Sequence, residues 1–193
     1  AYDEATAILA GDALQTLAFR ILCEDDDLCI DRINRLRMIA ELAHASGSRG
    51  MAGGQALDMQ ATGREIDLAE LENLHIHKTG ALILASVRLG ALAAGASHDE
   101  RLAGLERYAK CIGLAFQVRD DVLDVEGETE VLGKTRGKDA AADKATYPAL
   151  MGLEGAREMT QRLIDQALEN IAALGPNADP LRQLAHYIVG RKH

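Results

Sequence analysis

The 193 residues are enough for one domain with a sizeable core, and 48% hydrophobic residues with only 2 Phe, 3 Pro and no Trp exclude a strand-rich sandwich in favour of Ala, Leu, Ile and Val on helices. A net charge of -9 excludes a general nucleic-acid or anionic-membrane surface, because a phosphate backbone needs a field of opposite sign, so any phosphate must be met locally. The 3 cysteines form no CxxC and are odd in number, which excludes a disulfide framework or a zinc ribbon and leads us to expect the reducing cytoplasm.

The chain opens at Ala1 without Met, already inside a helical pattern, from which a longer protein is expected. From Asp3 to Leu22 the apolar residues Ile8, Leu9, Ala13, Leu14, Leu17, Ala18 and Ile21 recur at helical spacing and predict a buried helix. Glu24 to Asp27 then reads as a solvated loop, since Ile30 breaks any aspartate-motif register. Asp31 is an N-cap for a helix to Ala45, ended by Ser46-Gly47-Ser48.

The next helix holds Gly53-Gly54-Gln55-Ala56-Leu57-Asp58-Met59. Its adjacent glycines mark close approach by another helix or a ligand, and Gln55 and Asp58 share a face. Asp67 and Glu70 have capping-box spacing and open a helix from Leu68 to Ala94. His75 and His77 are two apart, pointing in different directions, and make a poor metal pair; Lys78-Thr79 sets a long cation beside a hydroxyl. The apolar run Ala81 to Ala96 is interrupted by Arg88 and glycines, so no membrane segment is expected.

Capped by Asp99, a further helix runs to Val125 with a buried stripe of Leu102, Leu105, Tyr108, Ala109, Ile112, Ala115 and Phe116. Asp120 and Asp124 follow, four apart on one helix face, where they repel each other unless a cation joins them. From Gly127 to Thr146 a polar loop brings Lys134, Arg136, Lys138 and Lys144 just after the aspartates. Tyr147-Pro148 starts a helix to Leu174, Gly175-Pro176 breaks it, and Asp179-Pro180 opens a last helix ending at Gly190. The terminal Arg191-Lys192 reads as solvated charge, with closure of the tail over a bound diphosphate as the alternative.

Carboxylates at i,i+4 suit a hard cation such as Mg²⁺, which keeps waters and shares its other positions with phosphate. With lysines nearby, such a site binds diphosphate, and an apolar cavity beside it would hold a hydrocarbon.

Three segments carry a resemblance. Phe116-Gln117-Val118-Arg119-Asp120-Asp121-Val122-Leu123-Asp124 with Gly133-Lys134, Lys138-Asp139 and Lys144, then His77-Lys78-Thr79-Gly80, and Gly54-Gln55-Ala56-Leu57-Asp58, together resemble the trans-isoprenyl diphosphate synthase family, closest to its bacterial farnesyl diphosphate synthases. The resemblance implies an all-α antiparallel helical bundle around a central cavity, of which residues 1–193 would be the C-terminal portion of a single domain.

It further implies condensation of isopentenyl diphosphate with dimethylallyl or geranyl diphosphate by a homodimer. Asp120 and Asp124 would ligate Mg²⁺, Asp121 would act through water or hold the motif, and Asp58 would stand in the metals' outer shell. Lys78 and Lys134 would bind the allylic diphosphate, with Gln55 and Lys144 as further contacts and Lys144 a partner for Asp120 or Asp121; Thr79 and Gln117 would face the allylic cation. The family's first aspartate-rich motif, in an N-terminal portion of roughly a hundred residues, is not among these 193, so the chain alone is expected to be inactive. A non-catalytic subunit and a class I terpene cyclase are the alternatives. Against the first stands the repelling carboxylate pair, and against the second the Asp120, Asp121 and Asp124 pattern itself.

Overall fold

A computed structural model describes residues 2–25, 28, 30–95, 100–131 and 145–191, without the side chains of 128–131. The described residues are helical, with no strand among them: α1 (Glu4–Glu24), α2 (Arg32–Ser46), α3 (Met51–Ala61), α4 (Leu68–His75), a π-helical turn (Ile76–Gly80), α5 (Ala81–Ala93), α6 (Glu100–Val131), α7 (Tyr147–Met151), α8 (Leu153–Asn170), a short 3-10 turn (Pro176–Ala178) and α9 (Asp179–Gly190). The expected caps form. The Asp31 carboxylate accepts from the N–H groups of Ile33 and Asn34, and Asp67 and Glu70 make both bonds of the capping box.

Helix α6 is the spine, packed most extensively on α8 and also against α5 and α9. Its expected stripe is the core: Tyr108, Ile112 and Ala115 meet Ile164, Ala167 and Ile171 of the α8 end and Ala185 and Ile188 of α9. One or two turns on, Val118 and Val122 join Leu71, Tyr147, Ala156 and Met159 in a second cluster. Ala115, Ala156 and Ala167 are fully buried, and such small side chains let helix backbones approach closely. The opposite face of α6 is left for polar residues.

Four expectations are corrected. Helix α1 is not buried: none of its residues is, and Ile8, Leu9, Leu14, Leu17 and Ile21 lie exposed because, among the described residues, α2 is the main element packed along it. Arg35 holds the two together by donating to the carbonyls of Leu22, Asp25 and Leu28. The predicted Leu68 to Ala94 helix widens into a π turn at Ile76–Gly80, and α6 runs six residues past Val125. The helix from Tyr147 breaks after one turn at Gly152, whose φ of 80° is a conformation glycine adopts without strain.

By length and hydropathy alone, Glu4–Glu24 and Leu68–Ala93 could each cross a bilayer. The second run nevertheless carries Lys78, Thr79 and Arg88, each paired with another helix. Cys23 and Cys111 are free thiols; Cys29 lies outside the described residues.

Candidate active site

The site is built where α3 touches the π turn and the π turn touches α6. A Cβ on Gly54 would stand 2.1 Å from the Lys78 nitrogen and 2.5 Å from its Cα, so only glycine lets α3 approach so closely. That closeness sets Asp58, one turn later, against Lys78: Nζ donates to Oδ2 at 2.7 Å. Asp58 therefore holds the lysine in place. Gln55 stands exposed on the same helix.

The π turn carries one residue more per turn than an α-helix, a feature frequent at functional sites. Here it presents Thr79 to α6, where its hydroxyl donates to Gln117 Oε1. With the hydroxyl proton committed, the threonine oxygen can offer its lone pairs elsewhere. Gln117, Asp120, Asp121 and Asp124 follow one another at i, i+3, i+4 and i+7 along α6, so the hydroxyl, the amide and the carboxylates share one side of that helix.

The three aspartates have different environments. Asp121 turns inward and accepts the backbone N–H of Tyr147 at 2.9 Å, fixing the start of α7. Burial pushes its carboxyl up to about 6, the Tyr147 bond opposes this, and Asp124 and Asp120 add to the rise. Asp121 thus ties α6 to the start of α7. Tyr147, wholly buried, packs its ring 5.5 Å from that of His75, and burial raises its hydroxyl first, with Glu72 and Asp121 adding to the rise.

Asp124 is exposed and Asp120 half-exposed. Asp120 is met by Arg191, whose Nη2 donates to Oδ1 at 2.8 Å. Arg191 is therefore not solvated terminal charge, since its side chain is only 10% exposed. Sequence alone offered no signal for this pair, which joins residues 71 apart. Lys134 and Lys144, with the rest of the basic loop from 132 to 144, lie outside the described residues.

Among the described residues no group of three or more His, Cys, Asp or Glu is close enough to hold a metal unaided. The donor set still fits Mg²⁺: the exposed Asp124 and half-exposed Asp120 carboxylates, oxygen only, suit an ion that completes its shell with water and phosphate.

Beside the π turn opens a cavity of about 510 Å³, lined there and on α5 by His77, Gly80, Ala81, Leu84 and Ala85, and on α6 by Cys111 and Leu114. Arg88 also lines it, bridging α2 and α6 through Glu41 (3.0 Å) and Glu106 (2.8 Å).

The polyprenyl synthetase family model matches residues 1–177. Farnesyl diphosphate synthase of Escherichia coli (strain K12) is 53% identical over 193 residues, covering 98% of this chain and 64% of that protein. The crystal structure of an FPP/GFPP synthase from Zymomonas mobilis superposes with a TM-score of 0.84 at 42% identity, over 97% of this chain and 62% of the other. A geranyltransferase from Helicobacter pylori, crystallised with magnesium and isoprenyl diphosphate, gives a TM-score of 0.77 at 34% identity, over 97% and 60%. The chain thus spans just under two thirds of the length of each of these relatives.

Proposed function

Because the chain belongs to the polyprenyl synthetase family, we propose that the protein carrying it joins isopentenyl diphosphate to an allylic diphosphate, dimethylallyl or geranyl, to give farnesyl diphosphate. The observation that carries this reading is the Thr79–Gln117 bond, which ties the π turn bearing Lys78 to the face of α6 that continues into Asp120 and Asp124.

In this reading Asp120 and Asp124 would hold Mg²⁺, with Lys78 and Lys134 on the diphosphate. When bound, the metal supplies charge neutralisation for the departing diphosphate. Lys78, held by Asp58, neutralises the diphosphate oxygens that the metal does not reach, so that the allylic C–O bond breaks toward a prepared anion site. The Thr79 oxygen, its proton tied to Gln117, turns lone pairs to the allylic cation that remains. The cavity keeps water from that cation until the double bond of isopentenyl diphosphate attacks it. A new C–C bond forms, and the proton then lost passes to the diphosphate. Asp121 serves by anchoring α7, Gln55 and Lys144 as outer contacts.

We place the protein in the cytoplasm, a location supported by its free thiols. We also take it as a homodimer, because the exposed apolar residues of α1 and α2, Leu9, Leu14, Ile33 and Leu36 among them, need a cover.

The test is farnesyl diphosphate formation from geranyl and isopentenyl diphosphates with Mg²⁺, on the protein at its native length. Activity abolished by Asp120→Ala and cut at least a hundredfold by Lys78→Ala, as for a lost charge-stabilising donor, supports the reading. Full activity in both variants would refute it.

A further inference from the structure

Among the described residues, a cation paired with Asp120 comes from the far end of the chain. Helix α9 is pinned to the core by Ala185 and Ile188 and by the Tyr108 hydroxyl, which donates to the Leu181 carbonyl at 2.7 Å. Its C-terminal turn is consequently delivered onto α6. There Arg191 Nη2 meets Asp120 Oδ1 at 2.8 Å and the Phe116 carbonyl at 3.2 Å, and the guanidinium carbon lies 4.1 Å from the centre of the Phe116 ring. Arg119 Nη2 donates to the Arg191 carbonyl at 3.0 Å, so backbone and side chain are both held. Yet Arg191 Nε is buried with no hydrogen-bond partner among the described residues. A guanidinium has five N–H donors, and this one is docked while still short of partners.

We propose that Arg191 is an internal counter-ion of Asp120, and that a divalent cation must take the carboxylate from it. The inference rests on the reading of Asp120 as a metal ligand. While Arg191 sits there it offsets the repulsion among Asp120, Asp121 and Asp124, and keeps the Asp120 carboxylate oriented on an otherwise self-repelling face. A divalent ion on the same carboxylate would lie within a few ångströms of the guanidinium, and the two cations repel. Diphosphate changes the balance, because an arginine released from Asp120 then has an anion to pair with. Arg191 thereby makes metal binding depend on diphosphate: the metal alone is a poor competitor, the metal with diphosphate a good one.

The test titrates the protein at its native length with Mn²⁺, with and without inorganic diphosphate, and follows free Mn²⁺ by electron paramagnetic resonance. Removing one positive charge at this distance, in Arg191→Gln, is expected to tighten Mn²⁺ binding without diphosphate about tenfold. The gain on adding diphosphate should shrink correspondingly, and Arg191→Lys, which keeps the charge, should stay nearer the parent than Arg191→Gln does. Mn²⁺ affinity unchanged or weakened in Arg191→Gln overturns the proposal, as does failure of both parent and variant to bind Mn²⁺ at all. A second measurement is independent of any metal. Hydrogen exchange at the amides of residues 187–191 should quicken in Asp120→Asn if Asp120 tethers the turn, and unchanged exchange sinks the tether. Absence of product formation would count against prenyl transfer but leave these two readouts intact, so the two failures are distinguishable.

Discussion

Substituting Gly54 by Ala tests whether the site depends on the close passage of α3 over the π turn. A Cβ there would meet three backbone atoms, the Lys78 nitrogen at 2.1 Å, its Cα at 2.5 Å and the His77 carbonyl carbon at 2.7 Å. To restore ordinary contact the two segments must part by more than 1 Å, and neither can answer by turning a side chain. Overpacking against a flexible neighbour costs about 1–3 kcal/mol, so rigid backbone puts this case near 3. Replacing a helical glycine returns about 1 kcal/mol of conformational entropy, leaving a net loss of roughly 2 kcal/mol. For a chain of this size that is about 4–8 °C in Tm. Gly90→Ala is the control: it is also helical but has nothing within 4 Å of its would-be Cβ, so a gain of up to about 1 kcal/mol is expected. Both are read by thermal unfolding followed by circular dichroism. The reasoning fails if Gly54→Ala melts at or above the parent, or if Gly90→Ala loses as much as Gly54→Ala.

Asp121 should make stability fall with rising pH. Its carboxyl is raised from 3.8 to about 6 in the folded chain, so between those values the unfolded state has shed a proton that the folded state keeps. The loss is at most about 3 kcal/mol before solvent screening reduces it, complete above pH 6 and absent below 4. Asp121→Asn, which keeps an acceptor for the Tyr147 N–H, should gain on the parent across that window, and parallel melting curves from pH 4 to 7 would contradict it. Tyr108→Phe removes the bond to the Leu181 carbonyl and should cost about 1 kcal/mol in urea unfolding, enough to lower the midpoint without changing the slope. Asp58→Asn removes the charged acceptor that holds Lys78; diphosphate affinity in native-length protein should fall severalfold, measured calorimetrically, while an unchanged affinity would show that Lys78 keeps its place without the pair.

Much of the scaffold was legible in the residues. Apolar recurrence at helical spacing found α1 to α6 and the α6 stripe that became the core, because periodicity of 3.6 is a local property. Asp31 and Asp67 were readable as caps for the same reason, their partners being two or three residues away. The glycine pair signalled close approach, although not that the π-turn backbone was the neighbour. Gly152 and the π turn were missed: a single glycine among helix formers and one extra residue in a turn leave the hydrophobic pattern almost intact.

What the sequence by itself determined is the all-α class, the i,i+4 register of Asp120 and Asp124, and the family to which those residues belong. What only the tertiary structure decided is who stands opposite each charge. Asp58 belongs to Lys78, Asp121 to the start of α7 and Asp120 to Arg191. It also left α1, read as buried from its pattern, without a cover on most of its surface. The reason is the same in both cases: periodicity states which face of a helix is apolar and which side chains share it, whereas partners across 20, 26 or 71 residues are set by how the helices pack.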